Sequence, residues 1–432
     1  MSLVSAAPHR RPIRIPRPAG LASALTVLCV IVLFFISSKV LTAAGIPYAT
    51  PGGSAFTKFH PATFLALAAL GVWAITIGPG RLLATLAAQR PGTLAFAAAI
   101  LLLTFQAALV QKLPISAVVD TFVLPLALFV CISALTAPVA ERILIGIHLF
   151  FLLNSTIGYL EYLTPFRLTP TYQDGVIVTY DWRATALLGH PLVNALATGA
   201  YLLILTGPGG RRFDMPIRAA LLLYSLGAMV AFGGRAATIA LLGLLALRAA
   251  LQIARILAGR PFRLRAATLA ILALTAVAIA GSLLVQAGAL DSFLGRFEDD
   301  SGSAATRVAM FSIFDGMTLR DVFFAPDLDH IASNQRRLDL AIGIESFVVA
   351  FFAYYGIVTT VLFFLGLAAF AGEIVRAAGR AALLPLGYYF VVTSTATGIA
   401  NKTIDFTLIM VMIVILLDRR FIPAETDRPA AC

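Results

Sequence analysis

The sequence predicts an all-α, polytopic integral membrane protein of about twelve transmembrane helices. Three observations predict it. Hydrophobic residues fill 60% of the 432 positions and charged residues only 12%, about half the charge of an ordinary soluble chain. Apolar runs recur from Leu21 almost to the carboxy terminus, most approaching the roughly 20 residues that cross a hydrocarbon core as helix. Basic residues then alternate between the two sides of those runs: 20 of the 32 Lys and Arg fall on the side of the amino terminus and 12 opposite. The acids run the other way, 6 against 15. The positive-inside rule therefore puts both termini in the cytoplasm. The net charge of +11 follows from membrane orientation.

Residues 1–20 form a basic cytoplasmic tail, with Arg10, Arg11, Arg14 and Arg17 ahead of the first span. A cleaved signal peptide has similar flanks. Here the apolar run continues to Leu41, as in a retained anchor. Spans at about 21–41, 61–77, 93–110, 116–135 and 143–160 follow across short polar breaks. The segment 161–190 is a long outer, periplasmic loop. Spans at about 191–206, 217–232 and 236–252 come next, the last two meeting at Phe232-Gly233-Gly234-Arg235. Arg248, Arg255, Arg260, Arg263 and Arg265 then fill one inner loop, where anionic headgroups are the expected partners.

A span at about 266–286 leads into a second outer loop, 287–344. Loops of such length in a compact protein usually carry function. Within it 299–303 reads as a polar turn. Residues 304–317 read as a short amphipathic helix, with Val308, Phe311 and Phe314 on one face. That helix is expected to rest on the membrane or cap a cavity. The stretch 327–340 reads as a solvated loop face. Spans at about 345–371, 381–399 and 404–417 complete a single membrane domain, 21–420, before a tail at 421–432. Several of these spans are short, as tilted or half-buried helices are.

Composition also excludes classes. The basic residues are spread over many loops without interleaved aromatics, so nucleic acid is not an expected partner. Cys29, Cys131 and Cys432 suggest no disulfide framework. His9, His60, His148, His190 and His330 are too far apart to read as a metal site. No metal or other cofactor is expected.

The residues with chemical promise lie on the outer side. Arg235 is held at a membrane surface by a minimal turn, where a guanidinium needs an anionic partner. Arg183 precedes Gly189, His190, Pro191 and Asn194 at the start of a span. Arg307 opens the amphipathic segment, with Arg296 nearby. Arginine suits phosphate because its planar fork donates bidentately and stays charged. Snorkelling to lipid or pairing with a loop acid is the simpler account of any single one except Arg235, whose turn leaves it little reach. His190, His330, Arg336 and Arg337 are candidate substrate contacts, with a structural hydrogen bond or a solvated surface as the plainer alternative. Glu345 opens a span at the outer interface, either as a helix cap or as a general base.

Together these segments resemble the O-antigen polymerase and ligase superfamily of bacterial envelope enzymes, and within it the exopolysaccharide polymerases of xanthan-type gene clusters. The resemblance covers the chain from about span five to the end. Arg183, Gly189, Pro191 and Asn194 look like the family's Arg…Gly…Pro…Asn element. Gly234-Arg235-Ala236 looks like its small–Arg–small turn, and Arg307 matches the arginine of its large outer loop. The ligase signature is a His followed by Asn, Ser or Gln, then nine residues, Gly, two residues, and Gly, Thr or Tyr. Ser346, Gly356 and Thr359 fit it, and Glu345 stands where the His belongs.

The resemblance implies a membrane-embedded, inverting, metal-independent glycosyltransferase on the periplasmic face of the bacterial inner membrane. Its donor would be an oligosaccharide on undecaprenyl diphosphate. Its acceptor would be a second lipid-linked repeat in a polymerase, or lipid A core in a ligase. Arg235, Arg307, Arg183 and Arg296 would hold the donor diphosphate, and Glu345 would be catalytic. Partners would include membrane lipids, a chain-length regulator and other polysaccharide-assembly proteins. The exchange of His for Glu favours polymerase over ligase. A transporter or flippase of lipid-linked saccharides is the remaining class. It would place charge deep within the spans to serve both faces, whereas here charge collects on the outer side.

Overall fold

A computed structural model describes residues 20–50, 52–170, 182–259, 308–340 and 343–420, with parts of 172–177 and 268–298. The chain begins with α1 (Gly20–Phe35), a short α2 (Ser38–Ala43), α3 (Pro61–Ile77), α4 (Pro79–Gln89) and α5 (Pro91–Phe105). Proline opens α3, α4 and α5, where its missing N–H has no helical partner to lose. Gly78, at φ 89°, turns α3 into α4 with a bend of 103°. A π turn, Gln106–Val110, extends α5, and a second, Val119–Val123, joins α6 (Ile115–Val118) to α7 (Leu124–Ser133). Next come α8 (Ala137–Leu163), α9 (Pro191–Thr206), α10 (Met215–Phe232) and α11 (Arg235–Leu257). The remainder holds α12 (Asp291–Glu298), α13 (Leu319–Phe324), α14 (Leu328–Arg337), α15 (Phe347–Tyr355), α16 (Ile357–Ala378), α17 (Leu383–Thr393) and α18 (Asp405–Leu416). Among the described residues the one sheet is a two-stranded ladder, Tyr172–Gln173 against Val176–Ile177.

Among the described residues, six helical segments are long and apolar enough to cross a membrane, or seven if the bent α3–α4 pair is one span. The molecule is a helical membrane-embedded protein. Its axis is α18, buried at every residue from Phe406 to Leu416, which is why that helix is apolar all round. Aromatic rings pack beside it. Phe96 stacks on Phe370 at 4.7 Å and Phe351 on Phe363 at 5.3 Å. Small residues let α5 and α16 approach closely: a Cβ on Gly366 would stand 2.4 Å from Ala99 Cβ, and one on Gly92 2.5 Å from the Ala369 carbonyl. By contrast α11 fully buries only Ala237 and Leu241, packs Ala240, Leu244 and Leu245 partly against the core, and presents Ile239, Leu242, Leu247, Leu251, Ile253 and Leu257 outward.

Helices stand at most predicted spans, but several are short. α9 has 16 residues, α17 has 11 and α18 has 12. A helix of 12 residues is about 18 Å long, against a hydrocarbon core of about 30 Å. Gly356, at φ 77°, divides the predicted span 345–371 into α15 and α16. Non-helical backbone at membrane depth persists where it lines a cavity, and these short helices end at one. The predicted span 266–286 lies mostly outside the described residues.

The segment predicted as the second outer loop also differs from expectation. The predicted helix 304–317 lies partly outside the described residues. Its described portion contains a 3₁₀ turn, Met310–Phe314. The i,i+3 spacing of that turn buries Met310 and Ile313 together, and leaves Val308 and Phe311 outward at 74% and 64% exposure. The stretch read as solvated loop is the helix α14, capped by Asp327, whose carboxylate accepts from Asp329 and His330 N–H groups. Ile331 and Asn334 turn its inner face toward the 3₁₀ turn, Asn334 donating to the Ile313 and Asp315 carbonyls at 3.0 Å each.

The predicted orientation has a direct test. Single cysteines at Asp339 and Arg142, both exposed, are introduced into a chain stripped of its own three cysteines. A membrane-impermeant maleimide is expected to label Asp339→Cys from the periplasmic side, and Arg142→Cys only after permeabilisation. Labelling of both from one side would reject an odd number of crossings between them.

Candidate functional site

The short helices leave a recess. The first turns of α9 and α18 and the last turn of α17 surround a cavity of about 550 Å³, completed by the α1–α2 turn, the start of α11 and Glu345. Its polar lining includes Lys39, His60, His190, Arg235, Glu345, Lys402 and Asp405. Leu33, Leu188, Leu192, Leu196, Val392 and Leu408 supply apolar wall. The alternation of predicted spans assigns the ends of all these segments to one face. Arg235, Glu345 and His190, singled out in the sequence, thus line one space.

Arg235 is the first residue of α11, and it is half-buried. The turn before it is as tight as two glycines allow. Gly233 takes φ 61°, and a Cβ there would stand 2.8 Å from the Trp182 ring and 2.9 Å from Arg183 Cγ. On Gly234 it would stand 2.5 Å from Ala195 Cβ. The turn is therefore wedged between the Arg183 segment and α9. Arg183 packs its aliphatic stem on this turn and is not among the cavity-lining residues.

The segment from Ala184 to Leu187 is buried backbone without helix, and two side chains of α8 hold it. Glu161, fully buried, accepts from Thr185 N at 2.6 Å, Ala186 N at 3.0 Å and Leu168 N at 2.7 Å. Asn154 accepts from Leu187 N at 3.0 Å and donates to Asn194 Oδ1 at 2.9 Å. Asn194 in turn donates to the carbonyls of Thr185 and His190. Buried backbone groups require such partners. The hydrogen bonds also keep Ala186 at φ 38°. This segment delivers Leu188 and His190 to the cavity. His190 caps α9, its Nδ1 accepting from Leu192 N at 3.3 Å.

Lys402, in the same lining, is half-buried and pairs with a fully buried acid behind the wall. Asp120, in the second π turn, accepts from the Tyr48 hydroxyl at 2.9 Å, His60 N at 3.1 Å and Thr63 Oγ1 at 2.7 Å. Lys402 stands 3.7 Å from it, with its ammonium 3.4 Å from the centre of the Tyr48 ring. Lys402 also donates to the carbonyls of Tyr48 at 2.9 Å and of Lys58 at 2.5 Å. His60 donates from Nε2 to the Ile36 carbonyl at 2.7 Å, and burial lowers its pKa below the usual histidine value. π turns are frequent at functional sites because they reorient side chains out of helical register.

Burial also lowers the Lys402 pKa, to about 8, against the pull of Asp120. The unfolded value is 10.5. Between those values the unfolded chain binds more protons than the folded one, so this group makes stability rise with pH across that window. Thermal unfolding in detergent from pH 7 to 10 is expected to show wild type gaining on Lys402→Met as pH rises. Parallel curves would exclude the shift.

Glu345 precedes Ser346, the residue at the N-cap of α15, and lines the cavity half-buried. Gly356 serves packing: a Cβ there would lie 2.8 Å from the Phe323 carbonyl. Gln106 and Gln111 of the π-turn region donate to the Phe324 and Pro326 carbonyls at 2.9 and 3.1 Å. The segment holding Phe323 to Pro326 is thus seated on the end of α5 and the start of α16. His330, Arg336 and Arg337 are not among the cavity-lining residues. His330 donates to the Asp315 carbonyl at 2.8 Å, and Arg337 pairs loosely with Asp315 at 3.5 Å, so both brace the segment around α14. Arg307 lies outside the described residues. Arg296 belongs to α12, and its side chain lies outside them too.

Sequence reading missed Lys39, Lys402, Asp405, Asp120 and Glu161. Lys39, Lys402 and Asp405 carried one legible signal, charge at the ends of apolar runs.

The fold and cavity define a helical membrane protein with an amphiphilic, charge-lined recess. A scan of protein-family models finds none that matches the chain, and no curated protein matches it.

Proposed function

We propose that the chain is a polysaccharide polymerase of the bacterial inner membrane, an inverting glycosyltransferase in exopolysaccharide biosynthesis. It would use an oligosaccharide on undecaprenyl diphosphate as donor and a second lipid-linked repeat as acceptor, on the periplasmic face. One observation carries this reading: Arg235 and Glu345, distant in sequence, line the same cavity, with cations, carboxylates and apolar walls together. A phosphate–lipid–sugar substrate is itself polar at one part and apolar at another. The acceptor hydroxyl would attack the anomeric carbon opposite the leaving diphosphate. The new C–O bond forms as the C–O bond to phosphate breaks, Glu345 takes the hydroxyl proton, and Arg235 holds the departing charge. Arg183 would act by supporting the Arg235 turn. A chain-length regulator and other assembly proteins would be its partners.

The test is reconstitution. Purified protein in nanodiscs, given a polyprenyl-diphosphate oligosaccharide, is expected to yield a ladder spaced by one repeat and to release polyprenyl diphosphate. Transfer only when lipid A core is supplied would identify a ligase. Movement of donor between leaflets without a new glycosidic bond would identify a flippase and overturn the enzymatic reading.

A further inference from the structure

The cations of the cavity differ in what already holds them. Lys402 is engaged by Asp120 at 3.7 Å and by the carbonyls of Tyr48 and Lys58. Both ring nitrogens of His60 are taken, Nε2 by the Ile36 carbonyl at 2.7 Å and Nδ1 by Ala62 N at 3.2 Å. Lys39 lines the same cavity, half-buried. Among the described residues its ammonium meets no carboxylate at ion-pair distance and no hydrogen-bond acceptor. An ammonium carries three N–H donors, and removing them from water is costly unless acceptors meet them. Lys39 is therefore open to an anion that enters the cavity.

Its place is fixed from two sides. Lys39 belongs to α2, whose N-cap Ser37 accepts from Val40 N at 3.4 Å, and His60 ties down the preceding turn through the Ile36 carbonyl. On the other side lies Gly189, at φ 72°. A Cβ there would stand 2.6 Å from Ser37 Oγ and 2.8 Å from Lys39 Cβ. The aliphatic stem of Lys39 is thus seated on the backbone that leads into α9. Arg235 is rooted on the same helix start, since a Cβ on Gly234 would stand 2.5 Å from Ala195 Cβ and 4.0 Å from Leu192 Cδ2. From Pro191 to Ala195 the helix rises only about 6 Å. Two long cationic side chains therefore start near the two ends of one helical turn and line one cavity.

We propose that Lys39 is a second phosphate contact of the donor, holding one phosphoryl group of the polyprenyl diphosphate while Arg235 holds the other. This rests on the donor proposed above. A lysine suits the task as a compact charge with rotatable donors on a flexible stem, beside the fixed fork of an arginine. Lys39 then selects a diphosphate over a monophosphate. Gly189 is small because the stem of Lys39 lies against it.

Native mass spectrometry of the full chain, released from phosphatidylcholine nanodiscs doped with undecaprenyl diphosphate or undecaprenyl monophosphate, tests this. Wild type is expected to retain the diphosphate about tenfold better than the monophosphate. Lys39→Met keeps the stem that packs on Gly189 and removes only the ammonium. It is expected to bind the diphosphate about tenfold more weakly and the monophosphate nearly as before, so that the preference disappears. Lys39→Arg, which keeps the charge, is expected to restore most of it. Lys39→Gln, read in the same way, keeps the test valid if Lys39→Met misfolds. An unchanged preference in a folded variant, or an equal loss for both lipids, overturns the inference and leaves the proposed donor standing. Failure of wild type to retain undecaprenyl diphosphate over phosphatidylcholine overturns both.

Discussion

Glu345→Gln is expected to abolish sugar transfer while leaving the protein folded and the donor bound. A general base contributes about 10² to 10⁴ to rate, and an amide cannot take the proton. The residue lines the cavity, and the adjoining N-cap position belongs to Ser346. A capping role would therefore have to act from outside the cap. If Glu345 only favoured the dipole of α15, Gln would retain turnover and the loss would appear as instability of at most about 1 kcal/mol. Two measurements on one preparation separate these outcomes: polymer formed per unit protein, and thermal stability in detergent. Glu345→His sharpens the comparison, because imidazole can also accept a proton near neutrality. Partial transfer by His with none by Gln would support a base. Wild-type polymer from Gln would move the proton acceptor elsewhere, first to Asp405, the other carboxylate in the same lining.

Arg235→Ala is expected to lower transfer by about tenfold to a hundredfold or more, since a hydrogen bond to a charged group contributes about 1.5–3 kcal/mol. Arg235→Lys should fail almost as badly. An ammonium brings charge but not the planar fork, and the turn before Arg235 gives a replacement little freedom. Gly233 and Gly234 are packed against Trp182, Arg183 and Ala195 with no room for a Cβ. Binding of polyprenyl diphosphate itself, followed without the acceptor, is expected to weaken in parallel. Near-normal polymer from Arg235→Ala at normal expression would remove it from the reaction. Weak binding with intact turnover of bound donor would instead mark a contact made equally in ground and transition states.

The sequence by itself determined the environment of this protein. Membrane residence follows from apolar run length, a property of neighbouring residues that needs no tertiary partner. The same local reading found Arg235, His190 and Glu345, because a polar group at the end of an apolar run stands out without knowledge of its contacts. It did not locate Lys402, whose ammonium sits over Tyr48 and beside Asp120, nor Glu161, whose carboxylate holds Thr185 and Ala186. Those roles arise from contacts between distant parts of the chain. Tertiary structure also decided where helices stop. An apolar run does not reveal whether its far end meets lipid or a cavity. α9, α17 and α18 end where the cavity begins, and there side chains such as Glu161, Asn154 and Asn194 take over the hydrogen bonds that a continuous helix would have satisfied for itself.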